Sequence, residues 1–205
     1  MGKRRVRKLL RKMESGEPVE LVVSMTTMKG LTRLAFIAQQ FGYEYADLNL
    51  NDNRFALRVV PDPSREGRER AARNRERYPE AGDGGSLPPV VPAEAELLKA
   101  RMVFDLGHQF TDKQRMAISG LGFTALVAAI AFRFADGATG VVIAVGVWAA
   151  LMGLVYFGLG YSRRRTARYA ARLQAAGFTP VTDQVGRLRY VPPGGRLPGH
   201  GNPFA

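Results

Sequence analysis

The chain has 205 residues, with 30 Lys plus Arg against 18 Asp plus Glu, and it contains no cysteine. The length accommodates one or two small domains, and the missing cysteine excludes disulfides, thiolate catalysis and zinc–cysteine sites. A formal charge of +12 implies an anionic partner: lipid headgroups, nucleic acid or an acidic protein. The bias towards Arg, Ala and Gly is also what a GC-rich genome produces.

Residues 1–15 predict a basic amphipathic helix. Val6, Leu9, Leu10 and Met13 recur at helical spacing and share one face, while Lys3, Arg4, Arg5, Arg7, Lys8, Arg11 and Lys12 cover the rest. Such a helix suits the surface of a bilayer with anionic headgroups, which makes these seven cations candidate lipid-binding residues. The plainer reading is a solvated basic tail. Nucleic acid is the least favoured partner, because no aromatic residue is present here for base stacking. A cleaved signal peptide is not expected, since Glu14, Gly16, Glu17 and Pro18 interrupt any apolar run after the basic start.

Residues 17–62 read as a small cytoplasmic α/β unit. Val19 to Met25 is a strand pattern, Thr26 or Thr27 can cap a helix from Met28 to Phe41, and Gly42 ends it. Tyr43 to Leu50 is a second strand, Asn51-Asp52-Asn53 a turn, and Arg54 to Val60 a third strand with alternating polarity. Residues 63–92 predict a disordered linker: Arg and Glu alternate from Arg65 to Arg77, which also suits a solvated helix, and a Gly-rich and then a Pro-rich run follow. Residues 93–115 predict a juxtamembrane helix, with Leu98, Met102, Leu106 and Phe110 along one side, able to lie on a membrane surface.

Residues 116–161 predict a transmembrane hairpin of two spans. Met116 to Phe132 and Ala138 to Tyr161 carry no charged residue, and at 1.5 Å per residue they reach roughly 26 and 36 Å, against a hydrocarbon core of about 30 Å. The short link Ala135-Asp136-Gly137 makes the two helices antiparallel neighbours. Lys113 and Arg115 precede the first span and Arg163-Arg164-Arg165 follow the second, so positive flanks place both termini in the cytoplasm and the turn outside a plasma or cell inner membrane. Small residues form candidate helix-packing stripes: Gly122, Ala125 and Ala129 on the first helix, and Thr139, Gly146, Gly153 and Gly160 on the second. The expectation is that these stripes pack the hairpin on itself; the alternative is that one of them drives a homo-oligomer.

Residues 162–193 predict a helix followed by a β-hairpin, and residues 194–205 a disordered tail. The two cytoplasmic halves resemble each other locally, each with a helix, a glycine followed by an aromatic (Gly42-Tyr43, Gly177-Phe178) and a strand–turn–strand. Neither half is large enough to bury much surface alone, so the halves either share one domain or dock separately onto a partner. The parts of a shared domain would suit a ferredoxin-like sandwich split by the hairpin.

No catalytic, cofactor-binding or metal signature stands out. Asp105, His108 and Asp112 are spaced to approach one metal, but a fourth ligand is missing and Gly107 interrupts them. The expected molecule is therefore not an enzyme but a membrane-anchored adaptor that presents a small α/β domain to a protein partner. The alternative is an accessory or oligomeric part of a membrane transport complex.

Overall fold

The structure, a computed structural model, describes residues 3–24, 26–134 and 137–194. The chain forms two compact units, Met1–Leu106 with Tyr169–Ala205, and Gly107–Arg168. The first is called the head below, and the second holds two apolar helices.

The head is built on a three-stranded antiparallel sheet of β1 (Val19–Ser24), β2 (Tyr43–Asn51) and β3 (Arg54–Pro61) in the order β1-β3-β2. Both β1 and β2 run antiparallel to β3, so they are parallel to each other with β3 between them. Helix α2 (Met28–Gln40) connects them, which makes a split β-α-β unit. Thr27 caps α2 by accepting from the Gly30 amide at 3.2 Å. The β2–β3 turn places Asp52 and Asn53 at φ 47° and 58°, the left-handed pair that a tight hairpin turn needs and that Asp and Asn tolerate.

Alternation gives the sheet one apolar face. Val19, Leu21 and Val23 lie on it beside Leu57 and Val59, with Tyr45 and Leu48 beyond. Three helices cover this face: α1 (Lys3–Met13), α2 and α4 (Pro92–Gly107). Leu9, Leu34, Tyr45, Leu57 and Met102 are fully buried there. Each such side chain contributes about 1.5–3 kcal/mol relative to exposure.

Several expectations change. The apolar face of α1 (Val6, Leu9, Leu10, Met13) is buried in this core, so the helix is part of the domain rather than a separate surface element. Residues 63–92 are folded, not a disordered linker: α3 (Arg65–Arg77) is capped by Ser64, and a 3₁₀ turn spans Pro79–Asp83. The segment buries Ala71 and Ala81, and Tyr78 and Leu87 pack against the core. Arg70 Nε donates to Gln39 O at 2.9 Å and Asn74 Nδ2 to Gln40 O at 2.8 Å, so α3 supplies donors to the open carbonyls at the end of α2. Gly42, at φ +88°, permits this approach, because a Cβ there would lie 2.9 Å from that of Ala71.

The stretch read as one juxtamembrane helix over 93–115 is two helices. Leu98 and Met102 of α4 are buried in the head core rather than left free for a membrane surface. The helix stops at Gly107, and α5 (Asp112–Phe134) starts afresh from a reciprocal cap in which Thr111 and Gln114 each accept the other's amide.

The C-terminal residues complete the head. Leu173 near the end of α6 (Gly137–Ala175) and Tyr190 of β5 (Leu188–Val191) join Ala100 and Phe104 of α4 in a second small core. The Phe104 and Tyr190 rings meet edge to face at 4.7 Å. Among the described residues β5 pairs with β4 (Thr179–Thr182) in a separate two-stranded sheet. The four-stranded ferredoxin-like sheet is therefore not formed. Its fourth strand would need the outer edge of β1, where Arg5 donates to Ser24 O and Lys12 to Glu20 O, each at 3.1 Å. Helix α1 thus covers that edge.

Lys113–Phe132 of α5 and Gly140–Ala175 of α6 are, by length and composition, long and apolar enough to cross a membrane. Helix α6 is one continuous helix of 39 residues, roughly 58 Å long, without a break at residue 162. The two helices meet through Trp148, whose Nε1 donates to Thr124 Oγ1 at 3.0 Å. Val127, Ile130 and Ala131 of α5 also line an apolar crevice with Gly140, Ile143, Ala144 and Val147 of α6.

Candidate functional site

Two features of the head concentrate charge in ways that bear on function: the outer face of α1 and a buried cluster between α4, β2 and the C-terminal hairpin.

Seven of the eleven residues of α1 are basic, with no acid in its first turn. The apolar face is locked in the core and Arg5 reaches the β1 edge, which leaves most of the other cations on the outer side. Arg4, Arg7, Lys8, Arg11 and Lys12 line a single open groove of about 400 Å³. Arg11 meets Asp83 at 3.4 Å, but both side chains are mostly exposed, so that pair is worth at most about 1 kcal/mol. Among the described residues Arg4, Arg7 and Lys8 have no carboxylate partner. Like charges one turn apart repel, and cations at a helix N-terminus oppose its dipole. The groove is therefore a concentrated positive field held in place by the core behind it.

The second feature starts from an irregularity in β2. The register against β3 shifts between Tyr45 and Asp47, and the carbonyl of the bulged Ala46 accepts from Arg189 Nη2. The same Arg189 nitrogen donates to Asp105 Oδ2 at 2.8 Å, and Tyr45 Oη donates to that oxygen at 2.9 Å. Arg187, two residues earlier and on the same side of β5's approach, pairs with Asp47 at 3.3 Å and with Asp183 at 3.0 Å. The Arg101 guanidinium stands 5.2 Å from the Tyr45 ring centre. Nε and Nη2 of Arg101 and Oδ1 of Asp105 are buried without a hydrogen-bond partner among the described residues.

Electrostatics follow from this packing. Burial pushes the Tyr45 hydroxyl well above its usual range, and the adjacent Asp105 adds to it against Arg189 and Arg101, so Tyr45 stays a neutral donor. Burial lowers Arg101, opposed by Asp105. Burial also pulls Arg189 down, but the charge and hydrogen bond of Asp105 outweigh it and leave the guanidinium above its ordinary value. Asp105 is 6% exposed, Arg189 5% and Tyr45 0%. Closed to any substrate, the cluster is a clamp that joins α4, β2 and β5.

The clamp replaces the metal reading of Asp105: its Oδ2 is occupied by Arg189 and Tyr45, and among the described residues there is no group of three or more His, Cys, Asp or Glu able to hold a metal. Arg101, Arg187 and Arg189 were not singled out from the sequence. The available signal was polarity out of place, with Arg101 and Asp105 on the side of α4 that also carries Leu98 and Met102.

The glycine stripe of α6 does not pack the hairpin. A Cβ added at Gly122, Gly146, Gly153 or Gly160 would meet nothing within 4 Å, and Ala125 and Ala129 are likewise exposed. The side chain of Thr139 lies outside the described residues. The α5–α6 contact uses Ala144 and Val147 instead, about 100–180° around the helix from Gly146 and Gly153 at about 100° per residue. No family model, curated protein or solved structure matches the chain.

Proposed function

We propose that the chain is a two-span integral membrane protein whose hairpin anchors a folded α/β head at the cytoplasmic face, and that the head is a non-enzymatic adaptor for a protein partner. The observation that carries this reading is the apolar surface of the hairpin. Leu121, Val142 and Leu154 are each more than two-thirds exposed, and Phe132 and Phe157 more so. Monomers in water rarely expose contiguous apolar patches beyond a few hundred Å², whereas lipid is the natural solvent for such a surface. Lys113 and Arg115 before the apolar stretch of α5, and Arg163 to Arg165 after that of α6, support a cytoplasmic head. The test is fractionation. The protein should stay with membranes through alkaline carbonate and leave them only in detergent; release by carbonate would refute integral insertion.

The outward stripe of Gly146, Gly153 and Gly160 favours a second reading, an oligomeric or accessory component of a transport complex, since small residues permit close helix approach in lipid. Native mass spectrometry from detergent separates the two: a monomer favours the adaptor and a discrete higher oligomer favours the second reading.

A further inference from the structure

Resting on the membrane reading above, we infer that the outer face of α1 is a non-inserting clamp for anionic phospholipid headgroups, with Arg4, Arg7, Lys8 and Arg11 in contact with phosphate while the helix stays docked in the head. Three observations converge on this. First, the apolar side of α1 is unavailable. Val6, Leu9, Leu10 and Met13 are between 0% and 7% exposed in the head core, and Arg5 and Lys12 are tied to the β1 edge. A free amphipathic helix binds a bilayer by burying its apolar face; this one would have to leave the core to do so, opening the β1 edge as well. Second, the remaining face is all cationic. Arg4, Arg7, Lys8 and Arg11 line one groove beside the tied Lys12, and the acidic partner of Arg11, Asp83, is itself largely exposed. An array of phosphates relieves the repulsion among them and fits a surface that offers charge and hydrogen-bond donors but no apolar wedge. Third, the same chain carries the two apolar helices, so the head stays at high effective concentration beside a leaflet. Lipid therefore competes ahead of a soluble polyanion such as nucleic acid, and the groove has no aromatic residue on which bases could stack.

The full chain tests this, because it lacks cysteine. Lys8→Cys carries a fluorophore, and the protein is placed in nanodiscs of phosphatidylcholine alone or with phosphatidylglycerol. Quenching by aqueous acrylamide should fall severalfold in the anionic discs, recover in high salt, and recover in an Arg4→Gln, Arg7→Gln, Arg11→Gln variant. At about 1 kcal/mol per cation, those three changes weaken the contact by roughly a hundredfold. Lipids brominated along the acyl chain should not quench the label. Unchanged thermal unfolding of the variant shows that the loss is not misfolding, since these side chains point away from the core. Equal quenching in both disc types overturns the clamp, and acyl-chain quenching overturns it in favour of insertion. Salt-sensitive binding of a labelled DNA duplex that outcompetes the anionic discs assigns the groove to nucleic acid instead. Failure of the protein to enter discs at all sinks the membrane reading itself, a result distinct from the others.

Discussion

Arg189 on β5 donates a 2.8 Å charge-assisted bond to Asp105 on α4, across 84 residues of sequence that include the whole of α5 and α6. The last strand is thus fastened to the helix that precedes the hairpin, and Tyr45 on β2 of the head shares the same carboxylate oxygen. Both partners are almost fully buried. Such a pair adds little over a well-packed apolar pair, but breaking one side is costly because the other charge is left without compensation. The clamp therefore selects how the C-terminal hairpin docks more than it deepens stability.

This makes a double-mutant prediction. Asp105→Ala alone should destabilise the head by about 3–5 kcal/mol, and Arg189→Met alone should also be harmful. The double variant Asp105→Leu with Arg189→Met should recover much of the loss. Hydrogen exchange of the β4–β5 amides in the detergent-solubilised protein reads it out. Additive losses in the double variant would show that the two residues do not act as a pair.

Glu44 predicts a pH dependence of the opposite sense to most carboxylates. Burial, helped by Asp62 and opposed by Arg101, raises its pKa from 4.5 to about 7. The folded state then holds a proton that the unfolded state has released, so between about pH 4.5 and 7 stability falls as pH rises. Below that window Glu44 is protonated in both states and costs nothing. Above it the half-buried carboxylate is a penalty of about 1–2 kcal/mol after allowance for its partial exposure. Glu44→Gln should raise the unfolding midpoint at pH 8 and leave it unchanged at pH 4.5. A wild-type midpoint that climbs from pH 5 to pH 8 and is unaffected by the substitution would refute the assignment.

What could be read in advance divides along physical lines. Local signals carried through: the Thr27 cap, the left-handed Asp52–Asn53 turn and Gly42 each act within a few residues. The destination of a face did not follow from its period. Val6, Leu9, Leu10 and Met13 have the same spacing whether they meet lipid or Leu34 and Tyr45. Segment 63–92 looked unstructured because it folds on small residues, Ala71 and Ala81, and on side-chain donors to α2 rather than on an apolar stripe. The clamp was hidden because Arg187 meets Asp47 at a separation of 140 residues, and no local pattern marks such a pair.

The glycine stripe gives a clean substitution test of the hairpin packing. Gly146→Leu and Gly153→Leu should leave the thermal stability of the monomer in detergent unchanged, because a side chain at either position enters open space. Ala144→Phe should cost about 1–3 kcal/mol by overpacking the crevice against Val127 and Ala131. Destabilisation by the glycine substitutions with Ala144→Phe silent would mean that the two helices meet through the other face. If cross-linking reveals an oligomer, loss of that oligomer in Gly153→Leu with the monomer intact would place the stripe between copies.

The last prediction concerns sidedness, and the structure guides where the probes go. Gly85 is a poor position for an introduced cysteine, since a Cβ there would lie 2.8 Å from that of Glu80; Ser86 beside it is exposed. Ser86→Cys in the head and Gly137→Cys at the start of α6 therefore bracket the hairpin. Lys113 and Arg115 precede the apolar stretch of α5 and Arg163 to Arg165 follow that of α6, and the excess of Lys and Arg sets orientation when connecting segments are short. On intact cells an impermeant maleimide should label Gly137→Cys and spare Ser86→Cys, which should react only after permeabilisation. The reverse pattern would put the head outside the cell, where the inner-leaflet phosphates proposed for α1 are out of reach. Labelling of both on intact cells would mean that α5 and α6 do not cross the bilayer as a pair, since a hairpin that spans twice must hold its turn and its head on opposite sides.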